Sequence, residues 1–291
     1  MGTFAELAVS TVTQGLIYSL LTFGLYITYK LLDFPDLTVD GSFPLGAAVT
    51  ALMLSRGVNP FLTLAAAAAV GALAGFATGI IHVRFGVRDL LAGIITMTAL
   101  FSINLQIAGS NLNVGRDAQT IFSVLPLSKM LWSKLIMSII IVIVVKVILD
   151  LYFRTKNGML LKAVGDNSTL VTTLAVDCGK VKILGLVIAN ALVALAGSVV
   201  CHEQRSFSAT MGTGQMVFGL AAVIIGTTVF KRLGFVKGTT AAIAGSVIYK
   251  SCIQIAISLG LPTNLLKLIT AVLFLIILIF GGTGKKEDKH A

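Results

Sequence analysis

Charged residues are scarce in this chain of 291 residues: Asp, Glu, Lys and Arg together make up 12% of it, whereas soluble domains contain about a quarter. Because a soluble fold needs that charge at its surface, the shortage excludes an ordinary soluble enzyme and a disordered protein. Cysteine is scarce too, and the spacing of Cys178, Cys201 and Cys252 fits neither a metal site nor a disulfide framework. A single disulfide between Cys201 and Cys252 stays open beside the simpler interpretation of isolated thiols in apolar helices.

The sequence also lacks the short motifs that mark common catalytic and metal sites. It has no GxSxG pattern, no HExxH pattern and no group of His, Cys, Asp and Glu at ligand spacing. The run GGTGKK at 281–286 lacks the first glycine of a phosphate-binding loop. We therefore expect no catalytic residue and no metal site, and any process driven by ATP would need an ATPase on another chain.

Apolar runs dominate what is present. Hydrophobic residues make up 56% of the chain, and runs near twenty residues recur, which is the length that crosses a bilayer as a helix. Because lipid requires backbone polar groups to be satisfied internally, we expect an all-α polytopic membrane protein. The runs predict about nine transmembrane helices, at 5–30, 40–55, 60–83, 89–109, 132–153, 181–201, 214–230, 236–258 and 264–281.

Basic residues are unevenly distributed between the two sides of the predicted bundle. The net charge is +10, from 22 Lys and Arg against 12 Asp and Glu. With the C-terminal tail placed inside, fourteen basic residues fall in inner regions, six in outer regions and two within segments, which accounts for all 22. Since cytoplasmic loops are enriched in Lys and Arg, we expect the N-terminus outside and the C-terminus inside. The basic charge thus indicates topology rather than a nucleic-acid partner.

A weak internal repeat agrees with this orientation. Similar stretches enter the second and seventh segments (41–48 and 214–222) and the fourth and ninth (85–91 and 259–266). The first member of each pair begins inside and its mate begins outside, which is the inverted-topology plan of many transporters. We therefore predict one transmembrane domain at 1–282, made of repeat one (about 5–109), a linking helix (132–153), a cytoplasmic segment (154–180) and repeat two (about 181–281), followed by a basic tail at 283–291.

Irregular backbone interrupts the helical pattern at corresponding positions of the two halves, at 33–44 and at 206–215. Such backbone is tolerated at membrane depth where it is buried in protein or lines a cavity, and in repeat transporters it marks the substrate site. The aspartates of the first stretch have a second explanation, because Asp40 followed by Ser42 could cap a helix in an inner loop.

The fourth segment adds a polar face to these two stretches. Thr98, Ser102 and Gln106 are four residues apart and share one side of a helix, and such a stripe either bonds to neighbouring helices or lines an aqueous pathway. We predict a substrate pathway formed by Asp36, Thr38, Asp40, Ser42, Thr98, Ser102, Asn104, Gln106, Gly212, Gly214 and Gln215.

Two other features of the apolar segments are interpreted as structural. Gly71, Gly75 and Gly79 repeat every four residues, and we expect them to allow close helix packing within one subunit rather than at a dimer seam. Lys146 and Lys250 lie within segments, and we expect both to snorkel towards a segment end.

The inner loop at 154–177 predicts two short helices. The first covers 159–164, after which Gly165 can break it, and Asp166 or Asn167 can cap the second. Lying parallel to the membrane, the pair could dock into a groove of a partner protein. Alternatively, the basic pair could rest on anionic lipid.

Three stretches together resemble a known family. RTKNGMLLKAVGDN at 154–167 resembles the coupling segment of permeases in bacterial ABC importers for branched-chain amino acids, sugars and nucleosides. LDFPDLTVDGSFPLG at 32–46 and FSINLQI at 101–107 are similar to the subgroup linked to tryptophan and tyrosine uptake. The resemblance covers nearly the whole chain.

The resemblance implies a permease subunit of the bacterial plasma membrane, not an enzyme. It implies a second permease copy, two ABC ATPase subunits that bind ATP and Mg, and a lipid-anchored extracellular binding protein that delivers the substrate. No cofactor on this chain is expected. The coupling segment would contact the ATPase through Gly158, Met159, Leu161, Ala163, Val164, Gly165, Asp166 and Asn167.

The implied substrate is a small aromatic amino acid, tyrosine or tryptophan. Because Gln106, Thr227 and Arg205 differ from the residues that the subgroup leads us to expect, a nucleoside, a sugar or a branched-chain amino acid stays open. An ion-coupled secondary transporter is the alternative of another class. It would need carboxylates near the bilayer midplane, whereas the sequence places all 12 acids in loops or near segment ends.

Overall fold

The structure is a computed structural model that describes residues 2–123, 131–166, 168–173, 177–230 and 237–258 and the single positions 265, 268, 271, 272 and 275. Nearly all of these residues are helical. The helices are α1 (Gly2–Leu25), which continues as a π-helical segment (Tyr26–Leu31), α2 (Val39–Ser55), α3 (Pro60–Val83), α4 (Asp89–Ala108), α5 (Leu131–Tyr152), α6 (Lys156–Asp166), α7 (Ser168–Thr173), α8 (Cys178–Gln204), α9 (Gln215–Val229) and α10 (Gly238–Ser258).

The helix positions confirm the predicted helical membrane protein. Each of the first eight predicted segments coincides with a helix to within a few residues, whereas the ninth, 264–281, lies mostly outside the described residues. The helices α2 and α9 are apolar but short, with 17 and 15 residues. Six of the described helices are long and apolar enough to span a bilayer: Glu6–Leu31, Pro60–Val83, Asp89–Ala108, Trp132–Tyr152, Cys178–Gln204 and Gly238–Ser258.

Helix α8 packs against α1, α2 and α3, and glycines on α3 allow a close approach. Gly71 and Gly75 lie against the α8 backbone at Asn190 and Leu186, so that a methyl group added to either glycine would overlap it. Gly79 contacts Ile183 in the next turn. The prediction that these three glycines pack within the subunit is therefore confirmed.

Two hydrogen-bonded pairs define how α2 lies on α8. Ser42 pairs with Asn190, and Thr50 pairs with Ser198 about two turns further along both helices. Because both numbers increase together, α2 and α8 are parallel. Ser42 belongs to the first turn of α2, so this short helix begins opposite the middle of α8.

A small β-ribbon covers one end of the bundle, which we call the ribbon end. Strand β1 (Asn111–Asn113) follows α4 and pairs antiparallel with β2 (Ser206–Ser208), which follows α8. Between α8 and β2, Arg205 has a left-handed backbone with φ of 54°. Its guanidinium Nη1 donates to the carbonyl oxygens of Gly115, Arg116 and Ala118 at 3.0, 2.8 and 3.1 Å.

The two short helices of the predicted coupling segment lie at the opposite end, which we call the α6 end. Helix α6 buries Gly158, Leu161 and Val164. The prediction that Gly165 breaks the helix is wrong, because α6 continues through Asp166. Gly165 allows close packing instead, since an added Cβ would overlap the carbonyl group of Leu31.

Expectations for the cysteines and for Lys146 also follow from the sequence, and the structure shows where their side chains lie. All three cysteines are free, so the Cys201–Cys252 disulfide is not formed. Lys146 forms an ion pair with Asp150 at 2.9 Å, one turn further along α5. Lys237 joins the same carboxylate at 2.9 Å and so connects α5 to the start of α10.

Candidate functional site

The polar residues around the start of α2 form a buried hydrogen-bond network with α8. Asn190 Nδ2 donates to Asp36 Oδ2 at 2.7 Å, and the Ser42 hydroxyl donates to Asn190 Oδ1 at 2.7 Å. The other carboxylate oxygen of Asp36 accepts the backbone N–H of Thr38 at 2.9 Å. All four side chains are buried. Asn190 therefore connects the loop before α2 and the first turn of α2 to α8.

Three of the predicted pathway residues thus point into helix contacts. Thr38 completes the pattern, because its hydroxyl lies 2.8 Å from the hydroxyl of Thr78 on α3. Asp36, Thr38 and Ser42 connect three helices, and their role in a pathway stays a prediction. Sequence reasoning missed Asn190, although an asparagine within an apolar helix is a recognisable signal, since a polar group at membrane depth needs a partner.

The two interrupted stretches meet at Asp40. Its carboxylate accepts the backbone N–H of Gly214 at 3.0 Å and that of Met216 at 2.8 Å. Gly212 lies against the Asp40 carbonyl and the Pro44 ring, where a Cβ would overlap both. Asp40 is therefore a helix cap, as one of the two sequence explanations held, but it caps α9 rather than its own helix. The junction brings the predicted residues Asp40, Gly212 and Gly214 together.

A cavity of about 270 Å³ opens beside this junction. Asp40, Thr98, Asn104 and Thr213 contribute its polar lining. Asn104 is fully buried, and its Nδ2 donates to the carbonyl oxygen of Gly41 at 3.2 Å. Its Oδ1 has no hydrogen-bond partner in the described part of the chain. The polar wall of the cavity therefore contains one carboxylate that already accepts two N–H groups and one enclosed amide oxygen.

The polar stripe of α4 lies on the exposed side of the helix. Thr98, Ser102 and Gln106 are all exposed, as expected for residues that share one face, whereas Asn104 lies on the buried side. The apolar Phe101 on the same surface is 45% exposed. Only Thr98 and Asn104 of this group line the cavity beside Asp40.

A second cavity, of about 490 Å³, lies on the other side of the 210–215 segment. Gln215 lines it together with Lys250, whose ammonium nitrogen lies 3.5 Å from the centre of the Tyr18 ring and 5.2 Å from that of Phe218. The ammonium group of Lys250 lies between aromatic rings of α1 and α9. The expectation that it snorkels to a segment end stays a prediction. The available signal was a lysine well inside an apolar span.

The predicted coupling residues occupy two faces of α6. Gly158, Leu161 and Val164 are buried, and Ala163 and Gly165 are half-buried. Met159 is 56% exposed, and Asp166 is exposed as well. Asn167 lies outside the described residues. The helix thus has one face for the bundle and one that is free to meet another surface.

These features together define a multi-pass membrane protein, in which six of the described helices are long and apolar enough to span a bilayer and two shorter helices meet inside the bundle. The chain belongs to the family of branched-chain amino acid transport system permease components, whose sequence profile matches residues 7–279. It is therefore a permease of ABC type for an amino acid or a sugar, and it is located in the plasma membrane. Its family consists of transport subunits rather than enzymes.

Three relatives illustrate the range of the family. The chain is 42% identical to a tyrosine transport system permease protein of Clostridioides difficile, over 95% of the chain and 90% of the relative. It is 30% identical to an uncharacterized protein of Rickettsia prowazekii, over 97% and 99%. It is 27% identical to the ribose import permease protein of Escherichia coli, over 66% and 60%. No solved structure matches the chain.

Proposed function

We propose that the chain is the permease subunit of an ATP-driven importer that moves a small aromatic amino acid, tyrosine or tryptophan, from an extracellular binding protein into the cytoplasm. The observation that carries this proposal is the 42% identity, over 95% of the chain, to a tyrosine transport system permease protein. The junction at Asp40 supports a transport role, because interrupted helices that meet within a bundle form the substrate site of repeat transporters.

In the proposed orientation the ribbon end is outside and the α6 end is in the cytoplasm. The charge distribution of the sequence supports it, because fourteen basic residues belong to the predicted inner regions and six to the predicted outer regions. Helices α2 and α9 would be corresponding elements of two inverted repeats within about nine transmembrane helices. Their shared shortness and the contact between their first turns support this assignment.

The α6 end is the proposed docking surface for the ATPase. Met159, Lys162 and Asp166 are exposed there, on a helix whose other face is packed against the bundle. Two permease copies would pair with two ATPase subunits, and ATP and Mg would bind only to the ATPases. ATP drives transport if it binds one conformation of the complex more tightly than the other.

One observation favours the alternative of an ion-coupled transporter. The sequence places every acid in a loop or near a segment end. Asp36 does lie in the loop before α2, but its side chain is buried and bonds to Asn190 of α8. A buried carboxylate at membrane depth is a common element of ion pathways. Its hydrogen bonds to Asn190 and Thr38 give it a structural role as well.

Reconstitution separates the two functions. The chain is co-expressed with the ATPase and the binding protein of its transport system, purified as a complex and placed in proteoliposomes that contain ATP or none. We expect uptake of labelled L-tyrosine only with ATP, and no effect of a protonophore. Uptake that needs an ion gradient instead of ATP, or the absence of a stable complex with an ATPase, would reject the importer assignment.

The coupling segment is tested in the same vesicles. Asp166→Lys changes the exposed face of α6 without altering its packing, and Gly165→Leu disrupts the packing against Leu31. Both variants should insert normally and lose uptake. Gly115→Ala, which meets no neighbouring atom within 4 Å, is the control. Unchanged uptake in both variants at equal expression would show that α6 does not couple.

A further inference from the structure

Lys250 is placed where a charge is costly. It lies twelve residues after the start of α10 and eight before its end, so at 1.5 Å per residue its Cα is about 18 Å from the first residue of the helix. Its side chain is partly buried, and its ammonium group contacts the faces of Tyr18 and Phe218. Cation–π contacts offset part of the cost of removing the ammonium group from water but leave its N–H donors unused.

The described part of the chain supplies no carboxylate for this ammonium group. Among the described residues, no Asp or Glu forms an ion pair with Lys250. Glu203, the acid whose charge acts on it, pairs with Lys134 at 3.3 Å. The remaining parts of the sequence contain only two acids, Glu287 and Asp288, which belong to the C-terminal tail. The described residues therefore leave this ammonium group without a carboxylate partner.

The cavity beside Lys250 has room for such a partner. Its volume of about 490 Å³ falls in the range of small-molecule sites. Thr210 and Gln215 form polar walls, and Met211, Val217 and Ile253 form apolar ones. Gln215 Nε2 donates to the carbonyl oxygen of Met211 at 2.9 Å, whereas its Oε1 has no partner among the described residues.

These groups match the parts of one class of molecule. Lys250 presents donors to an anion, and the apolar walls suit a hydrophobic side chain. Gln215 Oε1 is enclosed and has no hydrogen-bond partner among the described residues, so a turn of its side chain towards the cavity would offer an acceptor to a cation. We propose that this cavity binds a zwitterionic amino acid in transit, with its carboxylate on Lys250 and its ammonium group on Gln215 Oε1. This assignment rests on the proposed amino-acid import.

The cavity is also connected to the junction of the two short helices. Thr213 lines both this cavity and the one beside Asp40. The carboxylate of Asp40 holds the segment between them through Gly214 and Met216. The two cavities are therefore neighbours on a single segment.

Binding measurements test the carboxylate contact. L-tyrosine and tyramine share a ring and an ammonium group, but tyramine lacks the carboxylate. Titrated into the purified complex without its binding protein, L-tyrosine should bind at least tenfold more tightly than tyramine to the wild type and to Lys146→Met, the control lysine, which pairs with Asp150. Lys250→Met should abolish this preference, and Lys250→Arg should retain part of it.

A second variant keeps the proposal testable if Lys250→Met does not fold. Gln215→Leu should weaken binding of L-tyrosine at least fivefold but leave 3-(4-hydroxyphenyl)propionate, which has no ammonium group, unchanged. The site would be overturned if Lys250→Met kept the preference for L-tyrosine over tyramine and Gln215→Leu bound L-tyrosine as tightly as the wild type.

Transport distinguishes failure of this site from failure of the proposed function. We expect Lys250→Met to lower L-tyrosine uptake at least tenfold at equal expression, and undiminished uptake would reject the site alone. If the wild type imports leucine but not tyrosine, the same comparison with leucine and isoamylamine decides the site. Import of ribose only would reject both, because ribose has no carboxylate.

Discussion

The carboxylate of Asp40 accepts the backbone N–H of Gly214 at 3.0 Å, across 174 positions of the sequence. Helix α9 begins after Gly214 with no side-chain cap from its own stretch of chain. Asp40 supplies that cap from the first turn of α2, and its negative charge interacts favourably with the N-terminus of α9. One side chain therefore fixes the relative position of the two short helices.

Replacing Asp40 by Asn should lower the apparent melting temperature of the purified protein. The amide keeps the size of the side chain but removes a negative charge worth about 0.3–1 kcal/mol at a helix N-terminus. It also leaves one acceptor oxygen where the carboxylate uses two. Asp33→Asn is the matched control, since Asp33 is exposed and its positive φ suits asparagine. Melting followed by the fluorescence of Trp132 should differ between the two, and equal curves would contradict the cap.

Asn190→Leu should destabilise the protein more strongly than Asp40→Asn. The change leaves the Asp36 carboxylate and the Ser42 hydroxyl without their buried partner, and each such group costs about 1–3 kcal/mol. A double-mutant cycle with Ser42→Ala provides the measurement, because residues of one network do not contribute additively. Additive losses would mean that Ser42 and Asn190 act independently.

Gly71→Ala should be destabilising although alanine favours helices. The added methyl group would overlap the Ala194 side chain and the Asn190 carbonyl of α8, and such overpacking costs about 1–3 kcal/mol. Gly115→Ala adds the same methyl group where it meets nothing within 4 Å. The pair is compared by yield of folded protein in detergent and by melting temperature, and a tolerated Gly71→Ala would count against the close α3–α8 contact.

Arg205→Lys should loosen the loop at the ribbon end while the helices remain intact. The guanidinium Nη1 donates to three carbonyl oxygens from 115 to 118. The shorter lysine side chain places its nitrogen one bond closer to its own backbone, so it cannot reach all three from the same position. Hydrogen exchange of the backbone amides at 109–120 should become at least tenfold faster. Arg116→Lys, at an exposed position of the same loop, serves as the control and should exchange like the wild type.

The sequence predicts the helices well because long apolar runs leave few alternatives in a membrane. Its main error in the coupling segment, at Gly165, has a specific cause. Glycine is a common helix terminator, but it also appears wherever another backbone comes close. The second use depends on Leu31, which is far away in the sequence, so no local pattern could separate the two.

The pathway residues also show that local sequence cannot reveal contacts between distant parts of the chain. The stretches containing Asp40 and Gly214 were singled out separately from their polar and small residues, and the structure brings them together. Sequence reasoning misses Asn190 and explains Lys250 by snorkelling alone, because a single polar residue in an apolar helix carries no information about its partner. The role of each depends on a contact with a distant part of the chain: Asn190 bonds to Asp36, and Lys250 lies over the ring of Tyr18.

The contact between Gly165 of α6 and the carbonyl of Leu31 joins two backbones with no side chain between them. A side chain at such a contact could change its rotamer and absorb a small displacement, whereas close-packed backbones cannot. A shift of α6 by a fraction of an ångström would therefore pass undiminished to the π-helical end of α1. The contact therefore transmits small movements from α6 to α1 and from α1 to α6.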